Sequence, residues 1–210
     1  EELKAGSNSP SYPLTTGSAP LREALKKYCI ETLGVSGDFD VLPTIGSKEL
    51  VAWLPTFLQS QTVLYPKIAY PTYLVGAMLA QSNEIAVDID ASHWPQADLA
   101  WVNSPANPTG RVHSEGELRA IIQWSRKNKA VVISDECYLE FGDGVTPTSI
   151  FAYSDGDNSN LLAVHSLSKR SSLAGYRAAF MVGDPALIAA IREIRKHAGM
   201  MVALPVQKAM

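Results

Sequence analysis

AVVISDECY, residues 130–138, is a short apolar run that ends abruptly in two carboxylates, a thiol and a phenol. Residues 130–134 are apolar or small at successive positions rather than alternate ones, which predicts a strand covered on both faces. LLAVH (161–165) followed by SLSK (166–169) has the same construction. Working outward, Val41–Ile45, Thr62–Tyr65, Glu84–Val87, Leu99–Asn103 and Ala178–Val182 read as further strands. Helical period fills the intervals. Residues 19–33 bring Leu21, Leu25, Tyr28 and Cys29 to one face, with Ser18 as N-cap and Gly34 as stop. Lys48–Leu58, Thr72–Gln81, residues 114–128 (capped by Ser114) and Asp184–His197 complete the set. Strands alternating with helices predict a three-layer α/β/α domain around a mostly parallel sheet. Residues 141–160, rich in Gly, Asp, Ser and Pro, read as a long surface loop.

Composition removes several function classes. The chain has 210 residues, 46% hydrophobic and 19% charged, with net charge −3 and no basic block, which argues against nucleic acid or an anionic membrane as partner. No apolar run approaches membrane-spanning length and no charged-then-apolar leader opens the sequence, so a cytoplasmic protein is expected. Cys29 and Cys137 read as reduced thiols, and neither has a second Cys or His at metal-ligand spacing, so no metal is expected. His93, His113, His165 and His197 are scattered, and His165 reads as a packing or hydrogen-bonding residue. Tryptophans 53, 94, 101 and 124 read as core or rim residues. There is no Walker-type loop and no GxGxxG.

Open α/β sheets bind ligands at the carboxyl ends of their strands. Four polar clusters follow predicted strands: Gly46-Ser47-Lys48, Asn103–Asn107, Asp135–Tyr138 and Ser166–Lys169. Gly46-Ser47 opens a helix whose free N–H groups suit a phosphate. Ser166 and Ser168 add hydroxyls, and Arg177 adds a bidentate cation. Asp135 is a carboxylate, Asn107 a neutral donor, Tyr138 a phenol, and Lys169 an amine in cationic company, which favours its nucleophilic form. Taken singly, each has an ordinary reading: surface lysine, helix cap, exposed ion pair or turn. Their convergence on strand ends favours a site for pyridoxal 5′-phosphate (PLP).

SPANPTG (104–110), SDECY (134–138), SLSKRSSLAGYR (166–177), TIGSKE (44–49), AYPTY (69–73) and YPLTTGSAPLREAL (12–25) together resemble the class I/II aminotransferases of fold type I, along nearly the whole chain. The resemblance implies that Lys169 carries PLP and shuttles the substrate proton, while Asp135 pairs with the ring nitrogen. It implies that Asn107 and Tyr138 bond the ring oxygen and that Tyr73 stacks on the ring. Gly46, Ser47, Lys48 (through its backbone), Ser166, Ser168 and Arg177 would hold the phosphate. Tyr12 would reach the phosphate of a neighbouring subunit, making a homodimer with shared sites. Residues 1–18 would be an entry segment making the dimer contact, and residues 19–210 the large domain. A small domain bearing the carboxylate-binding arginine would lie beyond Met210, so the chain is expected to be part of a longer protein.

SDECYLEFG, AVHSLSKRSSLAGYR and RKHAGMMVALPVQ are most similar to actinobacterial N-succinyldiaminopimelate aminotransferases of lysine and diaminopimelate biosynthesis. That implies ping-pong transfer between glutamate and N-succinyl-2-amino-6-oxopimelate. Arg170, and Arg195 or Lys196, could face such a polyanionic substrate or simply solvent. Alternatives are an aminotransferase for aspartate or histidinol phosphate, a PLP-dependent C–S lyase, and the PLP-sensing domain of a GntR-class regulator. The last needs an upstream winged helix and a basic stripe.

Overall fold

The computed structural model describes Lys4, residues 10–142 and residues 144–210, so much of the predicted entry segment (1–3 and 5–9) lies outside the described residues. The elements run α1 (Ala19–Glu31), β1 (Asp40–Thr44), α2 (Ser47–Phe57), β2 (Thr62–Pro66), α3 (Thr72–Leu79), β3 (Asn83–Val87), β4 (Leu99–Asn103), α4 (Glu115–Asn128), β5 (Val131–Asp135), β6 (Leu161–Ser166), α5 (Leu167–Arg170), β7 (Ala179–Gly183), α6 (Pro185–His197) and α7 (Leu204–Ala209).

Helices begin where the sequence supplies a cap. Ser18 accepts from the Leu21 N–H ahead of α1. Ser114 and Glu117 form a reciprocal capping box at α4. Asp184 accepts from the N–H groups of Ala186 and Leu187 at α6. A cap of this kind contributes about 1 kcal/mol. The apolar stripes then face inward: Leu21, Leu25 and Cys29 on α1, and Leu118, Ile121 and Ile122 on α4, are buried.

The strands form one sheet in the order β1-β7-β6-β5-β4-β2-β3. Strand β7 is antiparallel to both β1 and β6, and the other pairs are parallel. Pro43, which has no N–H for a ladder, sits on the edge strand β1. Alternate residues feed two cores. Leu99, Trp101, Ile133 and Leu162 pack with Leu50 and Leu54 of α2 and Ile188 and Ile191 of α6. Ala100, Val102, Val132 and Phe180 pack with α1 and α4 on the other face. Each large side chain buried in this way contributes roughly 1.5–3 kcal/mol.

The predicted elements shift by one or two residues at their ends, but α5, α7 and the 3-10 turns Ala91–His93, Ile150–Tyr153 and Ala174–Tyr176 were not anticipated. The segment predicted as a surface loop is partly built into the core. Ile150 and Phe151 are buried, and the Asn158 amide donates to the carbonyls of Ser36 and Asp38. Among the described residues, no helix is long and apolar enough to cross a membrane and no group of acidic, His or Cys side chains could hold a metal.

Because β7 runs against its neighbours, β1, β4, β5 and β6 all end at one edge of the sheet, where β7 starts. That edge carries the polar clusters.

Candidate active site

A cleft of about 530 Å³ opens at this edge, within the size range of small-ligand sites. It is lined by residues from four strand ends, among them Ser47, Asn107, Asp135, Tyr138, Ser168, Lys169 and Arg177.

The turn after β1 holds Gly46 at φ 103° as the residue before α2, with no side chain capping the helix. The first N–H groups of α2 are therefore open to an anion. A Cβ at Gly46 would overlap the Arg177 guanidinium, so glycine is what lets that cation close over the helix end. Arg177 is steadied by a 2.8 Å bond from Nη1 to the Ala174 carbonyl.

Ser166 ends β6, and its hydroxyl accepts from the Ser168 N–H at 3.1 Å. The resulting tight turn carries Ser168 and Lys169 into the cleft. Lys169 is exposed, and among the described residues its amine makes no hydrogen bond or ion pair.

Asp135 is buried at the end of β5. One carboxylate oxygen accepts from the Cys137 N–H at 3.2 Å and the other from the Tyr73 hydroxyl at 2.8 Å. Burial pushes its pKa up, and the bonds from Cys137 and Tyr73 pull against that. Burial, and then the adjacent Asp135 carboxylate, hold Tyr73 and Cys137 well above their ordinary values, so both stay protonated. Burial also raises Tyr138. Asn103 organises the next wall. Its Nδ2 donates to the carbonyls of Asp135 and Pro105, while its Oδ1 accepts from the Asn107 N–H at 2.6 Å.

A hollow of about 250 Å³ adjoins across Asn103, but its charged groups are already matched, Lys67 with Asp88 and Arg111 with Glu117, each at 2.6 Å.

A family-wide profile described as aminotransferase class I and II matches residues 1–209. The chain belongs to the class I and II aminotransferases. A probable aminotransferase of Mycobacterium tuberculosis is 49% identical across the whole chain, which covers 52% of that relative. The 4-dedimethylamino-4-oxo-anhydrotetracycline transaminase OxyQ of Streptomyces rimosus is 47% identical, again across the whole chain and 60% of the relative. The chain thus spans between half and three-fifths of these relatives. Among solved structures, N-succinyldiaminopimelate aminotransferase of M. tuberculosis superposes with TM-score 0.85 at 27% identity over 99% of this chain and 58% of that one. The aminotransferase AspB of Helicobacter pylori gives 0.89 at 29%, over 99% and 61%.

Class I and II aminotransferases depend on PLP, and this cleft fits it. Open helix N–H groups, two serine hydroxyls and an arginine suit the phosphate, an unpaired amine suits the aldehyde, and a buried carboxylate suits the ring nitrogen. Every PLP-binding residue expected from the sequence except Gly46 and Tyr12 lines the cleft, and Gly46 adjoins it as the N-cap of α2.

One of them has a different place from the one expected. Tyr73 is fully buried, its ring tilted against Trp101 at 5.1 Å and its hydroxyl committed to Asp135, so it has no free face to stack on a cofactor. Tyr70, unassigned from the sequence, is a half-buried aromatic of the cleft, as is Tyr138. Three residues earlier in the chain, it precedes α3 instead of lying on its inner face. Cys137 was also missed. It lines the cleft between Asp135 and Tyr138, and its N–H holds the Asp135 carboxylate.

Arg195 faces neither substrate nor solvent. It is fully buried in an ion pair with Glu49 at 2.6 Å. Arg170 pairs with Glu140 at 2.7 Å and lies over the Tyr28 ring, and Lys196 pairs with Glu193. Tyr12 is 91% exposed and outside the lining of its own cleft.

Proposed function

We propose that the protein is an aminotransferase whose PLP site lies in this chain, and that it moves an amino group between glutamate and N-succinyl-2-amino-6-oxopimelate. The observation that carries the reaction class is the meeting, in one cleft, of the unpaired Lys169 amine, the buried Asp135 carboxylate and the anion cradle at Gly46, Ser47 and Arg177.

Bound PLP supplies the electron sink for charge that develops at the substrate α-carbon. The chain's own residues do the rest. Lys169 Nζ would anchor the cofactor through its aldehyde, and the same amine would be the base that takes the proton from the substrate α-carbon. Asp135, held by Tyr73 and the Cys137 N–H, keeps a proton on the ring nitrogen. The N–H groups at the start of α2, with Ser166, Ser168 and Arg177, bind the phosphate, while Asn107 and Tyr138 donate to the ring oxygen. Tyr70 covers one ring face. The exposure of Tyr12 supports a role in the site of a second copy of the chain, as a homodimer.

The choice of substrate draws support from the structural similarity to the M. tuberculosis N-succinyldiaminopimelate enzyme. LL-diaminopimelate aminotransferases of Dehalococcoides mccartyi, 32% identical over 93% of this chain, point to the same kind of backbone. The 47% identity with a transaminase named for an oxo-anhydrotetracycline favours, as second reading, a bulkier ketone acceptor.

The test is single-turnover spectroscopy of the intact protein with PLP. Conversion of the visible band by both glutamate and N-succinyl-LL-diaminopimelate, with the band lost in Lys169→Ala, supports the full reading. Conversion by glutamate alone keeps the reaction class and removes the substrate. Absence of any band removes the reading altogether.

A further inference from the structure

Directly behind the cleft, on the opposite face of the sheet, lies a histidine–glutamate contact that the chemistry above leaves unused. His165 Nε2 is 3.1 Å from Glu136 Oε2, with side chains 7% and 1% exposed. The other Glu136 oxygen accepts from the Ile150 N–H at 2.9 Å. The His165 ring is stacked on Phe180, with centroids 5.0 Å apart. The 3.1 Å separation brings the ring nitrogen within donor reach of the carboxylate, and neither atom has any other hydrogen-bond partner. Two buried polar side chains of this kind are costly to desolvate, and apolar replacements of similar volume are often no less stable. Their position therefore calls for a reason beyond packing.

That position is specific. Strands β5 and β6 pair in parallel with Asp135 opposite Val164, and the Glu136 N–H bonds the Val164 carbonyl at 2.9 Å. Glu136 thus meets His165 across the strands. Side chains alternate along a strand, so the residues flanking the pair point to the other face. Those flanking residues are Asp135 and Ser166.

We propose that His165 and Glu136 form a positioning pair, which fixes the spacing between the Asp135 strand end and the Ser166–Lys169 turn and so sets how tightly PLP is held between them. The proposal rests on the reading of the cleft as a PLP site. One contact locks two neighbouring strand ends, each a single residue from a group that grips a different part of the cofactor. The His165 ring also acts on Asp135 through space, favouring its ionised form.

The titratable groups packed around the pair are protonated or already engaged elsewhere. Burial lifts Tyr28 and Cys29 of α1 to about 12 each. Lys26 pairs with Asp40 at 3.3 Å, and Glu140, after β5, is taken by Arg170 of α5.

The experiment measures PLP affinity of the intact protein, and the pH at which the bound cofactor's visible band changes, in three variants. His165→Phe keeps the stack on Phe180 and removes the donor. His165→Gln restores a neutral donor, and Glu136→Gln keeps the shape of its residue. We expect His165→Phe to weaken PLP binding about tenfold, the size of effect seen when an outer partner of a ligand-holding residue is lost, and to displace the band's pH midpoint. His165→Gln should return affinity to within about threefold of wild type, under 1 kcal/mol. Unchanged affinity and midpoint in His165→Phe overturn the proposal, as does failure of His165→Gln to restore them. If His165→Phe does not fold, Glu136→Gln decides by the same two readouts. A wild-type protein with no PLP band overturns the reading beneath the proposal, whereas a normal wild-type band with indifferent variants overturns the proposal alone.

Discussion

Replacing Tyr73 by Phe removes one oxygen and leaves the ring packing against Trp101 and Tyr70 in place. The lost bond is the 2.8 Å donation to Asp135, made where Tyr73 is 0% and Asp135 7% exposed. Water has little room to take over. A hydrogen bond to a charged group is worth about 1.5–3 kcal/mol, and an abandoned buried acceptor puts the cost within that range. We expect a loss of about 2 kcal/mol, hence a melting temperature lower by about 4–8 °C for a domain of this size. The pH dependence has a definite sign. Burial raises the Asp135 pKa, so ionised Asp135 costs stability as pH rises above the ordinary aspartate value. The Tyr73 bond opposes that rise, and without it the deficit is smallest in acid and grows toward neutrality. The acid limb of kcat/KM moves to higher pH for the same reason. The assays are thermal melting of the PLP-free protein from pH 4 to 8 and kcat/KM across the same range. A deficit largest in acid, or a pH profile that superimposes on wild type, would refute the argument.

Gly46→Ala places a Cβ against the Arg177 guanidinium at a positive φ, at a cost of about 1–3 kcal/mol, and titration with PLP or inorganic phosphate should show weaker binding. Arg195→Met strands the Glu49 carboxylate and should cost about 3–5 kcal/mol in urea denaturation, most of it recovered when Glu49→Leu is added. Burial lowers His113 from 6.5 to about 4, so the unfolded chain takes up this proton first. Stability supplied by the neutral ring is complete above pH 6.5 and falls by roughly 3 kcal/mol down to pH 4. In His113→Gln that acid slope should disappear from denaturation curves at pH 7, 5.5 and 4.

The sheet and most of the cleft were legible because two independent signals agreed. Continuous apolar runs gave the strands, and a polar cluster after each run gave the site, which is how Asp135 and Lys169 could be paired from positions 34 residues apart. What escaped depended on partners distant in sequence. Tyr73 and Tyr70 look equivalent in AYPTY, and only the start of α3 decides between them. A helical reading already carried the hint, since Tyr73 shares an inner face with Gly76 and Ala77. Arg195 reads as a basic residue near a helix end, because its partner Glu49 lies 146 positions earlier. The short α5 and the 3-10 turns are too brief to show a period.

The pairing of β1 with β7 joins residues 40–44 to residues 179–183, and β1 is an edge strand whose ladder bonds go to β7 alone. The anion cradle straddles that junction, with Gly46 and Ser47 on one side and Arg177 on the other. No portion of the chain folded by itself can form it, and closing so long a loop is slow. A ligand that binds only the closed junction shifts the balance by mass action, about 2.7 kcal/mol at a hundredfold excess over its dissociation constant. Supply of the cofactor would then act on the lifetime of the protein as well as on its catalysis. Without it, any opening of this edge would expose an unpaired strand to proteases and to other copies of the chain.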